Sequence, residues 1–117
     1  MHYLLMCCMN ETLRANLQDA QQGRIMDEYG KLVHELKVSG RLLTGAQLDR
    51  PASAVTVRKR KEKPVITDGP FAETREQLGG YHLIDCQDRD EAVAIALRFP
   101  TLAAGGLIEV RPLVYVE

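Results

Sequence analysis

Val65-Ile66-Thr67-Asp68-Gly69-Pro70-Phe71-Ala72-Glu73-Thr74-Arg75-Glu76-Gln77-Leu78-Gly79-Gly80-Tyr81-His82-Leu83-Ile84-Asp85-Cys86 joins two apolar, strand-like runs through a polar connection bearing glycine and proline. Val65, Ile66 and Thr67 are all β-branched, which suits a pleated surface and disfavours helix. Asp68-Gly69-Pro70 then forms a stiff turn. Aspartate can bond backbone N–H groups just ahead of it, glycine reaches dihedrals closed to other residues, and proline fixes φ while restricting Gly69. Phe71, a large apolar side chain directly after the turn, is expected to pin the loop to the body of the protein. Residues 72–77 read as a polar connection of about one helical turn, with Glu73, Arg75 and Glu76 free to face water or a ligand. Gly79-Gly80 opens the second strand, Tyr81 to Cys86, where paired glycines mark a bulge or a close backbone approach.

Outward from this stretch, Tyr3 to Cys8 has the apolarity of a buried first strand, and residues 10–24 are polar enough to read as an exposed connection with some helix. Ile25, Met26, Tyr29, Leu32, Val33 and Leu36 make the stripe of an amphipathic helix, stopped at Gly40. A second strand covers residues 42–48 and a third runs from Ala54 to Lys59. The third returns through a charged turn, Lys59 to Pro64, into Val65–Thr67. Asp88 to Glu91 resembles a capping box, followed by the buried side of a second helix at Ala92, Val93, Ile95, Ala96 and Phe99. The last strand is expected over Leu107 to Val116, at a sheet edge because Pro112 cannot donate to a ladder.

The order is strand, helix, several strands, helix, strand, within one domain of 117 residues. Two helices cover one face of such a sheet, yet its strands carry apolar residues on both. The pattern predicts an α+β fold with an antiparallel sheet, two main helices on one face, and an obligate homodimer that covers the other face.

Fifteen basic and sixteen acidic residues give a net charge of −1, which supplies no general attraction to nucleic acid or anionic membranes. The apolar start at Met1 to Met9 lacks a basic lead and is far shorter than the ~20 residues of a membrane span, so it reads as a strand and not as a signal peptide. Three cysteines, with Cys7 and Cys8 adjacent, make a poor disulfide framework and fit a reducing cytoplasm. Metal-ligand spacings are lacking, and neither a metal nor a cofactor is expected. Five of the six residues Arg58 to Lys63 are basic, but no aromatic is interleaved among them, and a solvated hairpin tip accounts for the run without nucleic acid.

Asp68-Gly69-Pro70-Phe71-Ala72-Glu73-Thr74, followed by Gln77-Leu78-Gly79-Gly80-Tyr81, resembles the signature of the DGPF branch of the YCII-related domain family. The likeness extends to Tyr3-Leu4-Leu5-Met6, Gly40-Arg41-Leu42-Leu43 and Ile108-Glu109-Val110-Arg111-Pro112. The resemblance implies a ferredoxin-like α+β domain that dimerises sheet against sheet, a dimeric α+β barrel. One branch of the wider family resembles dehalogenating or lyase-type enzymes with a histidine on the first helix and an aspartate near the end of the second. The corresponding positions here are Tyr29 and Phe99, so that mechanism is not carried over. Other relatives resemble modules accompanying alternative sigma factors, which implies a sensor or partner role as the second class of function.

The candidate site gathers Tyr29, Arg58, Asp68, Phe71, Glu73, Tyr81, His82 and Arg111 around a pocket for a small anionic or polar ligand. Asp68 and His82 are the catalytic candidates. Asp68 is either a general base held by a stiff turn or a turn residue capping its own backbone. His82 alternates with Ile84 and Cys86, where a histidine serves as a core or interface residue or as a catalyst. Tyr81 and Tyr29 are placed to offer hydroxyls to a cleft between the sheet and the first helix. Arg58 and Arg111 either bind an anion or pair internally with Glu109 or Asp68.

Overall fold

The computed structural model describes residues 1–72 and 74–115. It contains six strands, β1 (His2–Asn10), β2 (Leu42–Gln47), β3 (Val55–Arg60), β4 (Lys63–Asp68), β5 (Glu76–Asp85) and β6 (Leu107–Pro112). The helices are α1 (Glu11–Ala15), α2 (Asp19–Val38) and α3 (Arg89–Ala96). Four strands form an antiparallel sheet in the order β2-β5-β1-β6, and among the described residues β3 pairs only with β4. With that hairpin set aside, the chain runs βαββαβ in the ferredoxin-like strand order.

The single sheet expected from the sequence is therefore two. Pairing partners are distant in sequence, and alternation alone cannot say which edge a hairpin joins. The turn of the hairpin is also tighter than residues 59–64 suggested. Strands run to Arg60 and Lys63, and only Lys61 and Glu62 turn, both at positive φ (50° and 67°), as a two-residue primed turn requires.

Residues 10–24 are more ordered than their polarity implied. Asn10 Oδ1 accepts from the N–H groups of Thr12 and Leu13 and caps α1. Gln21 Oε1 accepts from Gln18 N–H at 3.1 Å, and α2 begins six residues before its apolar stripe. Ala20, Gln21, Gln22 and Arg24 are good helix formers, so this end of α2 needs no apolar stripe to stay helical. At the other end Gly40, with φ +78°, closes the helix as expected. Arg41 N–H donates to Leu36 O and Gly40 N–H to Lys37 O. Asp88 caps α3 through Glu91 N–H at 2.9 Å, but Glu91 pairs with Arg41 Nε at 2.9 Å and does not reach back to complete the box.

Tyr3 and Leu5 of β1, Leu42 of β2, and Ile84 and Cys86 on and just after β5 meet Leu32 and Leu36 of α2 and Ala92, Ile95 and Ala96 of α3, with Phe99 closing the core. Alternation puts Leu4, Met6, Tyr81 and Leu83 on the opposite face, which neither long helix covers. β6 is an edge strand ending at Pro112 and not at Val116, which lies outside the described residues. No described helix is long and apolar enough to cross a membrane.

Candidate functional site

Between α2 and the sheet lies a cavity of about 300 Å³ lined in part by Cys7, Arg14, Tyr29, Gln47, Arg50, His82 and Phe99. The paired glycines shape it. Cys7 faces Gly80 and Cys8 faces Leu78, so Gly79 is the extra residue of a bulge in β5. A Cβ on Gly79 would stand 3.9 Å from Arg14 Nη1, and one on Gly80 would meet Ala46 O at 3.0 Å. Glycine at position 80 thus lets β2 approach closely, whereas a methyl at 79 would only touch the Arg14 guanidinium at ordinary contact distance.

On the floor, Tyr29 Oη stands 2.6 Å from His82 Nε2, and Cys7 Sγ lies 3.8 Å from His82 Nδ1. The rings of Tyr29, His82 and Phe99 form a tilted cluster with centroids 5.0 to 6.1 Å apart. His82 is only 3% exposed, and burial lowers its pKa from the ordinary histidine value. Burial likewise raises the Tyr29 phenol, against a smaller opposing effect of a hydrogen bond with Gln47. Both shifts favour the neutral pair. Either the phenol donates to Nε2 and Nδ1–H points at Cys7 Sγ, or Nε2–H donates to the phenol and the thiol donates to Nδ1. Burial, with Cys8 adding to it, pushes the Cys7 thiol up to about 11, so Cys7 is no thiolate nucleophile at neutral pH.

Two guanidinium groups complete the lining. Arg14 has a long contact of 3.9 Å to Glu11, and Arg50 has no acidic partner among the described residues. The arrangement is an aromatic floor with a phenol–imidazole pair, apolar walls from Leu17, Ile25 and Met26, and two cations. Among the described residues, no three His, Cys, Asp or Glu side chains cluster as metal ligands.

Of the residues expected at the site, Tyr29 and His82 come together here. Tyr81 does not, because strand alternation sends it to the face opposite His82. Arg58 and Asp68 are exposed on the β3–β4 hairpin. The Asp68 carboxylate accepts no hydrogen bond among the described residues, so it does not cap its own turn. Phe71 is 79% exposed and does not pin its loop to the body. Glu73 lies outside the described residues. Arg111 pairs with Glu109 at 2.6 Å, the internal pairing anticipated, and neither it nor Arg58 lines the cavity beneath α2.

Cys7, Arg14, Gln47 and Arg50 were not anticipated. Reading residues 10–24 as a linker hid Arg14, whereas the Gly79-Gly80 pair did mark the close approach. Tyr29 and Phe99, the two positions at which a family dyad would fall, do become neighbours, and the polar partner of Tyr29 is His82.

Residues 1–117 match the family described as YCII-related domain. An uncharacterized protein of Rhizobium meliloti (strain 1021) is 33% identical over 114 residues, covering 97% of this chain and 92% of that relative. Among solved structures, 5-chloro-2-hydroxyhydroquinone dehydrochlorinase from Burkholderia phenoliruptrix AC1100, in complex with 2,5-dihydroxybenzoquinone, aligns with a TM-score of 0.49 and 14% identity. That alignment covers 99% of this chain and 96% of that one. A likeness of that degree says nothing about chemistry here.

Proposed function

This chain belongs to the YCII-related domain family, and we propose that it binds a small organic anion in the cavity between α2 and the sheet and exchanges a proton with it through Tyr29. The observation that carries this reading is the 2.6 Å contact between Tyr29 Oη and the buried His82 Nε2 at the floor of a cavity flanked by Arg14 and Arg50. With the imidazole neutral and Nε2 accepting, a proton passing from ligand to Tyr29 Oη moves the phenol proton on to His82. The arginines hold the anionic end, and the aromatic floor takes the apolar body.

The motif Asp68-Gly69-Pro70-Phe71-Ala72-Glu73-Thr74 supports a reading of the chain as a single domain of the DGPF branch. We read the free thiols of Cys7, Cys8 and Cys86 as fitting a reducing cytoplasm. Leu4, Met6, Tyr81 and Leu83, half-buried on the face that neither long helix covers, support a homodimer through that face of the sheet.

Thermal shift with benzoate against its neutral counterpart benzamide tests the binding. Benzoate should give a saturable rise in Tm that weakens at least tenfold in Arg50→Gln, and equal binding of benzamide would remove the anion assignment. Loss of α-protons from small keto acids in D₂O, followed by NMR, tests the chemistry. Wild-type exchange no faster than buffer would withdraw the proton-transfer role, and Tyr29→Phe should abolish any exchange seen.

A further inference from the structure

The β3–β4 hairpin is amphipathic, and it turns its apolar side to solvent. Residues facing each other across an antiparallel pair share a face, so Val55, Val57, Ile66 and Pro64 lie on one side, flanked by Asp68 at its base and Lys59 near its tip, and Thr56, Thr67, Arg58, Arg60 and Lys63 lie on the other, with Val65. Thr56 and Val65, on the polar side, are partly buried, while Val55, Val57 and Ile66 are 57%, 70% and 69% exposed. Among the described residues no hydrogen bond or ion pair ties residues 55–68 to the rest of the chain. Gly69 N–H to Ala54 O and Thr56 Oγ1 to Gly69 O only close the hairpin's own base. A two-stranded hairpin is marginal in water by itself, and a greasy outer face makes it more so. The chain is extended to match. Its radius of gyration is 16.0 Å, where about 13 Å is usual for this length.

The charge of the arm as a whole points to its partner. Of the fifteen basic and sixteen acidic residues, the hairpin holds five and two, which leaves ten and fourteen on the remainder. A positive arm on a negative body is complementary to another copy of the same body.

We propose that the β3–β4 hairpin is an exchange arm that lays its Val55–Val57–Ile66 face against a second copy of this chain, each copy receiving the other's arm. The inference rests on the homodimer reading above and adds to it a contact made outside the sheet faces. In a two-fold pair both arms engage at once, so one patch is used twice. It also gives a task to the basic tip, which steers the arm to the partner.

Sedimentation of the full-length protein over a micromolar range tests it with three variants. The double variant Val57→Glu with Ile66→Glu should weaken the dimer at least tenfold with an unchanged far-UV circular dichroism spectrum. Lys61→Glu with Lys63→Glu, which alters only the solvated tip, should weaken it several-fold at low salt and little at high salt. Leu83→Glu probes the open sheet face separately. A wild-type monomer overturns both the dimer and the arm. A dimer that Leu83→Glu disrupts while both hairpin variants leave its affinity unchanged overturns the arm alone. Retention of a labelled single-stranded DNA by the dimer, lost on charge reversal at the tip, would assign the hairpin to nucleic acid and overturn the exchange.

Discussion

Replacing Tyr29 by Phe deletes one oxygen and should cost more than its size suggests. The hydroxyl lies 2.6 Å from Nε2 of an imidazole that is otherwise enclosed. Without it that nitrogen loses its protein partner, and an unsatisfied buried polar group costs about 1–3 kcal/mol. Tyr29 borders a cavity, so a water can take the vacated position, which places the expected loss at about 1–2 kcal/mol. On a chain of this length that corresponds to a fall in Tm of roughly 4–10 °C. Urea unfolding at pH 8, where His82 is neutral, measures the difference. His82→Leu and the double variant complete a cycle whose coupling should be about 1 kcal/mol. A Tyr29→Phe protein within about 0.3 kcal/mol of wild type, or a cycle with no coupling, would show that the pair makes no bond of consequence and would remove the basis of the proposed chemistry.

Stability should also depend on pH through His82. Burial lowers its folded pKa, so the unfolded chain takes up the proton first, at about pH 6.5; stability is full above that value and declines as pH falls from it toward the folded pKa. Denaturation midpoints from pH 8 to 5 should show this limb in wild type and a shallower one in His82→Leu. Gly45→Ala should destabilise by about 1–3 kcal/mol, because its Cβ would stand 2.8 Å from both Tyr81 O and His82 Cδ2 and the carbonyl cannot give way; thermal melts and displaced His82 ring resonances would report it. Gly23→Ala and Gly30→Ala should each stabilise α2 by about 0.5–1 kcal/mol, since nothing lies within 4 Å of either added methyl. A melt unchanged or lowered would refute the latter.

Local signals in the chain were strong. The helical stripe from Ile25 to Leu36, the stop at Gly40, the cap at Asp88, the bulge at Gly79-Gly80 and the edge position of Pro112 each follow from a few neighbouring residues whose preferences act over one or two turns. The start of α2 was masked, because without an apolar stripe only propensity and the Gln18–Gln21 contact define it.

Composition and alternation by themselves determined an α+β chain with an antiparallel sheet, two principal helices, and apolar residues on both faces of that sheet. They also put His82 with Ile84 and Cys86. Tertiary structure alone decided that Tyr29, 53 residues away, would become the partner of His82, that Arg14 and Arg50 would flank the same cavity, and that β3 and β4 would leave the sheet. The physical reason is range. Dihedral preference and side-chain period act between neighbours, whereas a pocket is made wherever packing brings distant segments together, and the sequence pattern carries no term for that distance.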